Sequence, residues 1–178
     1  MAGVATGLAG LAACKPPPTD AGLDRELPEA EPAYASDPLP SPDTEGAMWA
    51  RSSEGGRIIY GVPGEPAIMA LECVDTPAAS PAIRITRLSP ADEGAGALLA
   101  MVGNGAIARV PVDAVEQSGR FVWQGEMQAD SFLIEPLTGP RALTVTVPGA
   151  GMVTLNPSAQ PARFVQECRS RASAEPGS

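Results

Sequence analysis

Between residues 48 and 169, apolar and polar positions alternate in short runs separated by turn-forming residues, the period of half-buried strands. Ala82–Leu88 sets Ile83 and Ile85 on one face and Arg84 and Thr86 on the other. Arg120–Met127 places Phe121, Trp123 and Met127 together, and Arg141–Val147 sets Leu143, Val145 and Val147 against Thr144 and Thr146. Arg57–Val62 and Ala67–Cys73 flank Pro63-Gly64, a pair suited to the centre of a type II turn. Leu98–Val102 and Ile107–Val112 flank Asn104-Gly105, the pair that best accepts the positive φ angles of a type I′ hairpin. Pro148–Gly151 then turns the chain into Met152–Leu155. With a first strand near Trp49, the pattern predicts seven or eight strands in mostly local order. The expected fold is mainly β, a small antiparallel barrel or sandwich. Asp130–Leu137 has room for a short helical turn. The last element differs: Ser158 can cap a helix with Pro161 in its first turn, and Phe164 and Cys168 then share a face with Val165 beside them.

The first residues follow another pattern. Val4–Ala13 is almost wholly small or apolar. It is too short to cross a bilayer as a helix, which takes about 20 residues, and has the length of a signal-peptide hydrophobic region. It ends in Leu11-Ala12-Ala13-Cys14, which resembles the lipobox of bacterial lipoproteins. That resemblance implies that residues 1–13 are removed as a signal peptide and that Cys14 carries the lipid, making the membrane the first partner. Lys15 follows, and the family's sorting rule then favours the outer membrane, facing the periplasm, with the inner membrane and the cell surface as alternatives. No Lys or Arg precedes the apolar run. Either the start lies upstream of Met1, or the stretch is an ordinary Ala/Gly-rich beginning with an incidental cysteine.

From Cys14 to Ala47 the chain is rich in proline, with eight acids between Asp20 and Glu45 against Lys15 and Arg25. Low hydrophobicity with high proline and net negative charge predicts a disordered tether over 14–47. The β-rich domain then occupies 48–169, and 170–178 reads as a disordered tail.

Charge and composition exclude several functions. The net charge of −9 argues against nucleic acid as a partner. The chain has no histidine, so no imidazole base, histidine metal ligand or histidine triad is available. The two glycine-rich turns lack the lysine and strand-to-helix context of a phosphate loop, and the acids do not follow a calcium-loop spacing. No metal, cofactor or catalytic residue is assigned. Cysteine usage adds to the picture. If Cys14 takes lipid, Cys73 and Cys168 remain; each lies in phase with apolar neighbours, and an oxidising compartment favours a disulfide between them. Two buried free thiols are the alternative.

Three weaker signals bear on partners. Arg84 and Arg87 occupy one strand, with Arg109, Arg120 and Arg141 at the edges of others; a shared face of these arginines could hold an anion. Ser118-Gly119-Arg120-Phe121 is similar to the Ser-Gly-x-aromatic stretch of periplasmic lysozyme inhibitors of the membrane-bound C-type family. In that resemblance Ser118 is offered to the enzyme's active site; otherwise it belongs to a polar turn. Finally, Tyr60-Gly61, Pro63-Gly64-Glu65-Pro66, Leu71-Glu72-Cys73 and the terminal Cys168-Arg169 together resemble uncharacterised envelope lipoproteins of sphingomonad-type alphaproteobacteria. The expected protein is a lipid-anchored cell-envelope protein with a non-catalytic β-rich binding or structural domain, with an envelope protein as a possible partner. The alternatives are an inhibitor of a periplasmic hydrolase and a small envelope enzyme using paired carboxylates.

Overall fold

The computed structural model describes residues 37–53, 55–76 and 80–172. Nine strands form one antiparallel sheet: β1 (Met48–Arg51), β2 (Arg57–Gly61), β3 (Met69–Val74), β4 (Ala82–Pro90), β5 (Gly96–Gly103), β6 (Ala106–Gln117), β7 (Arg120–Gln128), β8 (Leu143–Thr146) and β9 (Met152–Leu155). A 3-10 turn spans Phe132–Leu137, and the helix α1 spans Gln160–Ala172. The stretch near Trp49 forms a strand as expected, and each of the eight alternating runs contains one too, so the count is nine rather than seven or eight. The helix also runs into the segment read as a tail.

The sheet order is β1-β2-β3-β4-β7-β6-β5-β8-β9, curled into a nearly closed barrel. Alternation places Ile58, Tyr60, Met69, Leu71, Ile83, Ile85, Leu99, Met101, Val110, Val145 and Val153 in a common core. Hairpin chemistry sets the local pairs. Asn104 and Gly105 adopt φ 53° and 83°, and Ser118 and Gly119 adopt 52° and 77°, so both two-residue loops carry the positive angles of type I′ turns. Gly125 pairs with Ile85 on β4, and a Cβ there would sit 2.2 Å from the Pro111 carbonyl oxygen of β6. Only glycine permits that close approach.

Two steps in the order are not local. The β5-β6-β7 meander is inserted in reverse, so β4 pairs with β7 and β5 with β8. Each connection this demands crosses an end of the barrel. At the upper end, Ala91–Ala95 passes from β4 to β5: the Ala91 N–H donates to Phe121 O at 3.1 Å, and the Ala114 N–H donates to Ala95 O at 2.8 Å. At the lower end, the 3-10 turn buries Ile134 and Leu137 completely, and α1 seals the rest with Phe164, Val165 and Cys168. Ser158 accepts the Gln160 N–H at 3.1 Å, as a cap should.

No ladder joins β9 to β1; side chains and an extended segment close that seam. The buried Tyr60 hydroxyl donates to Thr154 O at 3.1 Å and accepts the Asn156 N–H at 2.9 Å. The Asn156 side-chain amide donates to Thr44 O and Ala47 O, each at 2.9 Å. Ser41 Oγ accepts the Met152 N–H, and the Leu39 N–H donates to Gly149 O. Residues 39–47, assigned to the linker by composition, therefore lie along β9. Their proline content suits an extended strap, so the boundary at 48 marks the first strand rather than the first packed residue. Residues 14–36 of the expected tether, like residues 173–178, lie outside the described residues.

Candidate functional site

The unusual chemistry lies at the upper end. Strand β4 keeps its inward phase through Ile83 and Ile85, and the next inward position is Arg87. Arg87 stands directly opposite Met69 on β3 and Trp123 on β7. The register then shifts: Leu88 and Ser89 are extra residues before Pro90 pairs with Val122. A bulge of this kind re-aims side chains and is common beside binding sites. It leaves Ser89 only 5% exposed, equal to Arg87, with Trp123 at 8%.

Arg87 reaches across the barrel. Its Nη1 donates to Ile68 O at 3.0 Å, and its Nη2 donates to Ala150 O in the β8–β9 turn at 3.1 Å. Both partners are neutral carbonyls, and no carboxylate forms an ion pair with it among the described residues. Burial alone pushes its pKa down to about 10, because a low-dielectric site disfavours the charged form. Three donors remain without a protein acceptor: Arg87 Nε, Ser89 Oγ and Trp123 Nε1. Buried donors are almost always paired, so three orphans on adjacent strands, Arg87 directly opposite Trp123 and Ser89 two residues further along β4, are exceptional. They offer hydrogen-bond donors and one positive charge, and include no carboxylate or thiol.

Arg84 shows the contrast. It faces outward between Glu72 and Glu126, its direct neighbours across β3 and β7, and donates to Glu126 at 2.8–2.9 Å and to Glu72 at 3.4 Å. The hydrogen bond to Glu126 raises its pKa, with the two carboxylates adding Coulombic support. Arg84 and Arg87 thus occupy opposite faces of one strand, and the shared arginine face expected from the sequence does not form. One residue of spacing separates the two fates: positions 83, 85 and 87 share the inward side, whereas 84 lies on the outward side. The sequence already carried this signal for Arg87. Ser89 and the Trp123 N–H were not legible, because the bulge and the β4–β7 pairing create their surroundings.

The other singled-out residues separate cleanly. Cys73 and Cys168 form a disulfide with a Cα–Cα distance of 5.6 Å, tying β3 to α1. Ser118 is exposed at the tip of the β6–β7 hairpin, five residues before Trp123, in a conformation dictated by its turn. Cys14 lies outside the described residues. The described residues contain no group of three or more histidine, cysteine, aspartate or glutamate side chains placed to hold a metal ion, and no helix among them is long and apolar enough to cross a membrane. No protein-family model, curated protein or solved structure matches the chain.

Proposed function

We propose that this chain is a lipid-anchored protein of the bacterial cell envelope whose barrel is a non-catalytic binding module. The observation that carries the reading is the Cys73–Cys168 disulfide. It accounts for two of the three cysteines and leaves Cys14, at the end of the lipobox-like run, as the thiol for acylation. A disulfide of this kind also suits an oxidising compartment, where such lipoproteins reside. Each buried CH₂ of an acyl chain contributes about 0.8 kcal/mol, so several chains hold far more firmly than one. The test is metabolic labelling in the native host with a radiolabelled fatty acid. Label is expected on the wild type and absent from Cys14→Ser. An unlabelled wild-type chain with a free Cys14 thiol overturns the anchor.

A second reading rests on Ser118. Its exposure on a tight hairpin tip suits insertion into the cleft of a hydrolase, as the resemblance to lysozyme inhibitors implies. The full chain at micromolar concentration is then expected to slow lysozyme, and Ser118→Trp to relieve the inhibition. Unchanged lysozyme activity removes this reading and leaves the anchored binding module standing.

A further inference from the structure

We infer that the upper end of the barrel binds a small organic monocarboxylate through Arg87, Ser89 and Trp123. The argument deepens the binding-module reading by naming its ligand class, and it can be tested apart from the lipid anchor. Three side chains that are more than nine-tenths buried present donors that no protein atom accepts. Each such group carries a penalty of about 1–3 kcal/mol, and a site built from them is complementary to an acceptor.

The charge narrows the choice. The guanidinium spends both Nη groups on the carbonyls of Ile68 and Ala150 and keeps Nε in reserve. One buried positive charge without a carboxylate partner matches one negative charge; a dianion would leave a net charge buried. Two carboxylate oxygens can between them accept from a guanidinium Nε, an indole N–H and a hydroxyl. The neighbouring side chains are apolar: Met69 stands beside Arg87 on β3, and Ala91, Ala95 and Ala97 of the crossover and β5 pack on the core. They suit a short alkyl group and leave no second cation for a diacid.

The donor atoms are sealed, so entry requires an opening. The Ala91–Ala95 crossover begins two residues after Ser89 and is the natural place for it. It is held at its two ends by the bonds to Phe121 O and from the Ala114 N–H, and between them Gly94 adopts a φ of 74°.

The chain has only two tryptophans, which makes the test direct. The two indole N–H resonances of the full-length protein are followed by NMR while sodium acetate is added, with sodium sulfate at matched ionic strength as control. The expected result is a saturable shift of the Trp123 indole N–H with a Kd near or below about 1 mM, no saturable shift of Trp49, and none with sulfate. Ser89→Ala removes one donor at little risk to the fold and is expected to weaken acetate binding roughly five-fold. A linear shift common to acetate and sulfate overturns the inference, as does saturation with equal affinity in wild type and Ser89→Ala. A crystal structure grown in acetate with an ordered water only, bonded to the three donors, overturns it too. Failure of acetate binding leaves the acylation of Cys14 untouched, and failure of acylation leaves this site in place.

Discussion

At the scale of single residues, two polar side chains do work that the backbone does elsewhere. Tyr60 places one hydroxyl between Thr154 O and the Asn156 N–H; burial raises its pKa, and the Asn156 hydrogen bond pulls it partly back. Tyr60→Phe preserves the ring and deletes both bonds, so it leaves a carbonyl and an amide unpaired at the seam. The expected cost is about 1–3 kcal/mol, read as a lower urea midpoint with an unchanged slope. Asn104 plays the equivalent part at the lower end. Its amide donates to Pro136 O at 2.7 Å and Gly139 O at 3.2 Å, and its Oδ1 accepts the Arg141 N–H at 2.9 Å. Asn104→Gly keeps the backbone freedom of the turn but releases the whole Pro136–Arg141 loop. We expect a loss of about 2 kcal/mol by urea unfolding and faster amide hydrogen exchange at Arg141. The turn at Asn104-Gly105 was legible from two residues of sequence, since few pairs accept both positive φ angles. The side-chain bridge was not, because its partners lie more than thirty positions away.

At the scale of elements, strand positions followed from alternation, and the turns from Pro63-Gly64, Asn104-Gly105 and Pro148–Gly151. The strand order followed from neither. Nothing local tells β4 to join β7 instead of β5. That choice rests on where β6 and β7 end and on two connections long enough to cross the barrel mouths. Cys73 and Cys168 were legible as a pair because each falls in phase with apolar neighbours, Met69 and Leu71 in one case and Phe164 in the other. The bridge fastens α1 to the sheet across 95 positions of sequence. The double substitution Cys73→Ala and Cys168→Ala is expected to cost about 2–5 kcal/mol. Calorimetry should show the lower melting point. Hydrogen exchange should show α1 opening before the strands, since the helix retains the packing of Phe164 and Val165 and loses its covalent tie.

At the scale of the whole molecule, charge is distributed outside and almost excluded from the core, with Arg87 as the exception. The exposed pair between Arg51 and Glu167 joins the β1–β2 hairpin to α1. The hydrogen bond from Arg51 holds the Glu167 carboxyl below its ordinary value of 4.5, assisted by Arg171 and Arg163. The folded form therefore binds this proton less readily than the unfolded one. The pair's contribution is present above about pH 4.5 and is lost as pH falls through the lowered folded value. Glu167→Gln should lower stability slightly at neutral pH, by the small amount expected for a solvated pair, and leave it unchanged in strong acid, so the acid limb becomes a little flatter; urea midpoints between about pH 3 and 7 measure the difference.

The strap along β9 has a consequence for proteolysis. A protease that trimmed the chain back to Met48 would take away Ser41 and Thr44, which meet the backbone of Met152 and the side chain of Asn156. The strand left behind would be short, uncharged and bare along one side, the condition in which a sheet recruits another chain by strand addition. Trimmed barrels should pair or polymerise through that margin while intact ones stay single, so a few extended residues ahead of the first strand protect the whole barrel from its own copies.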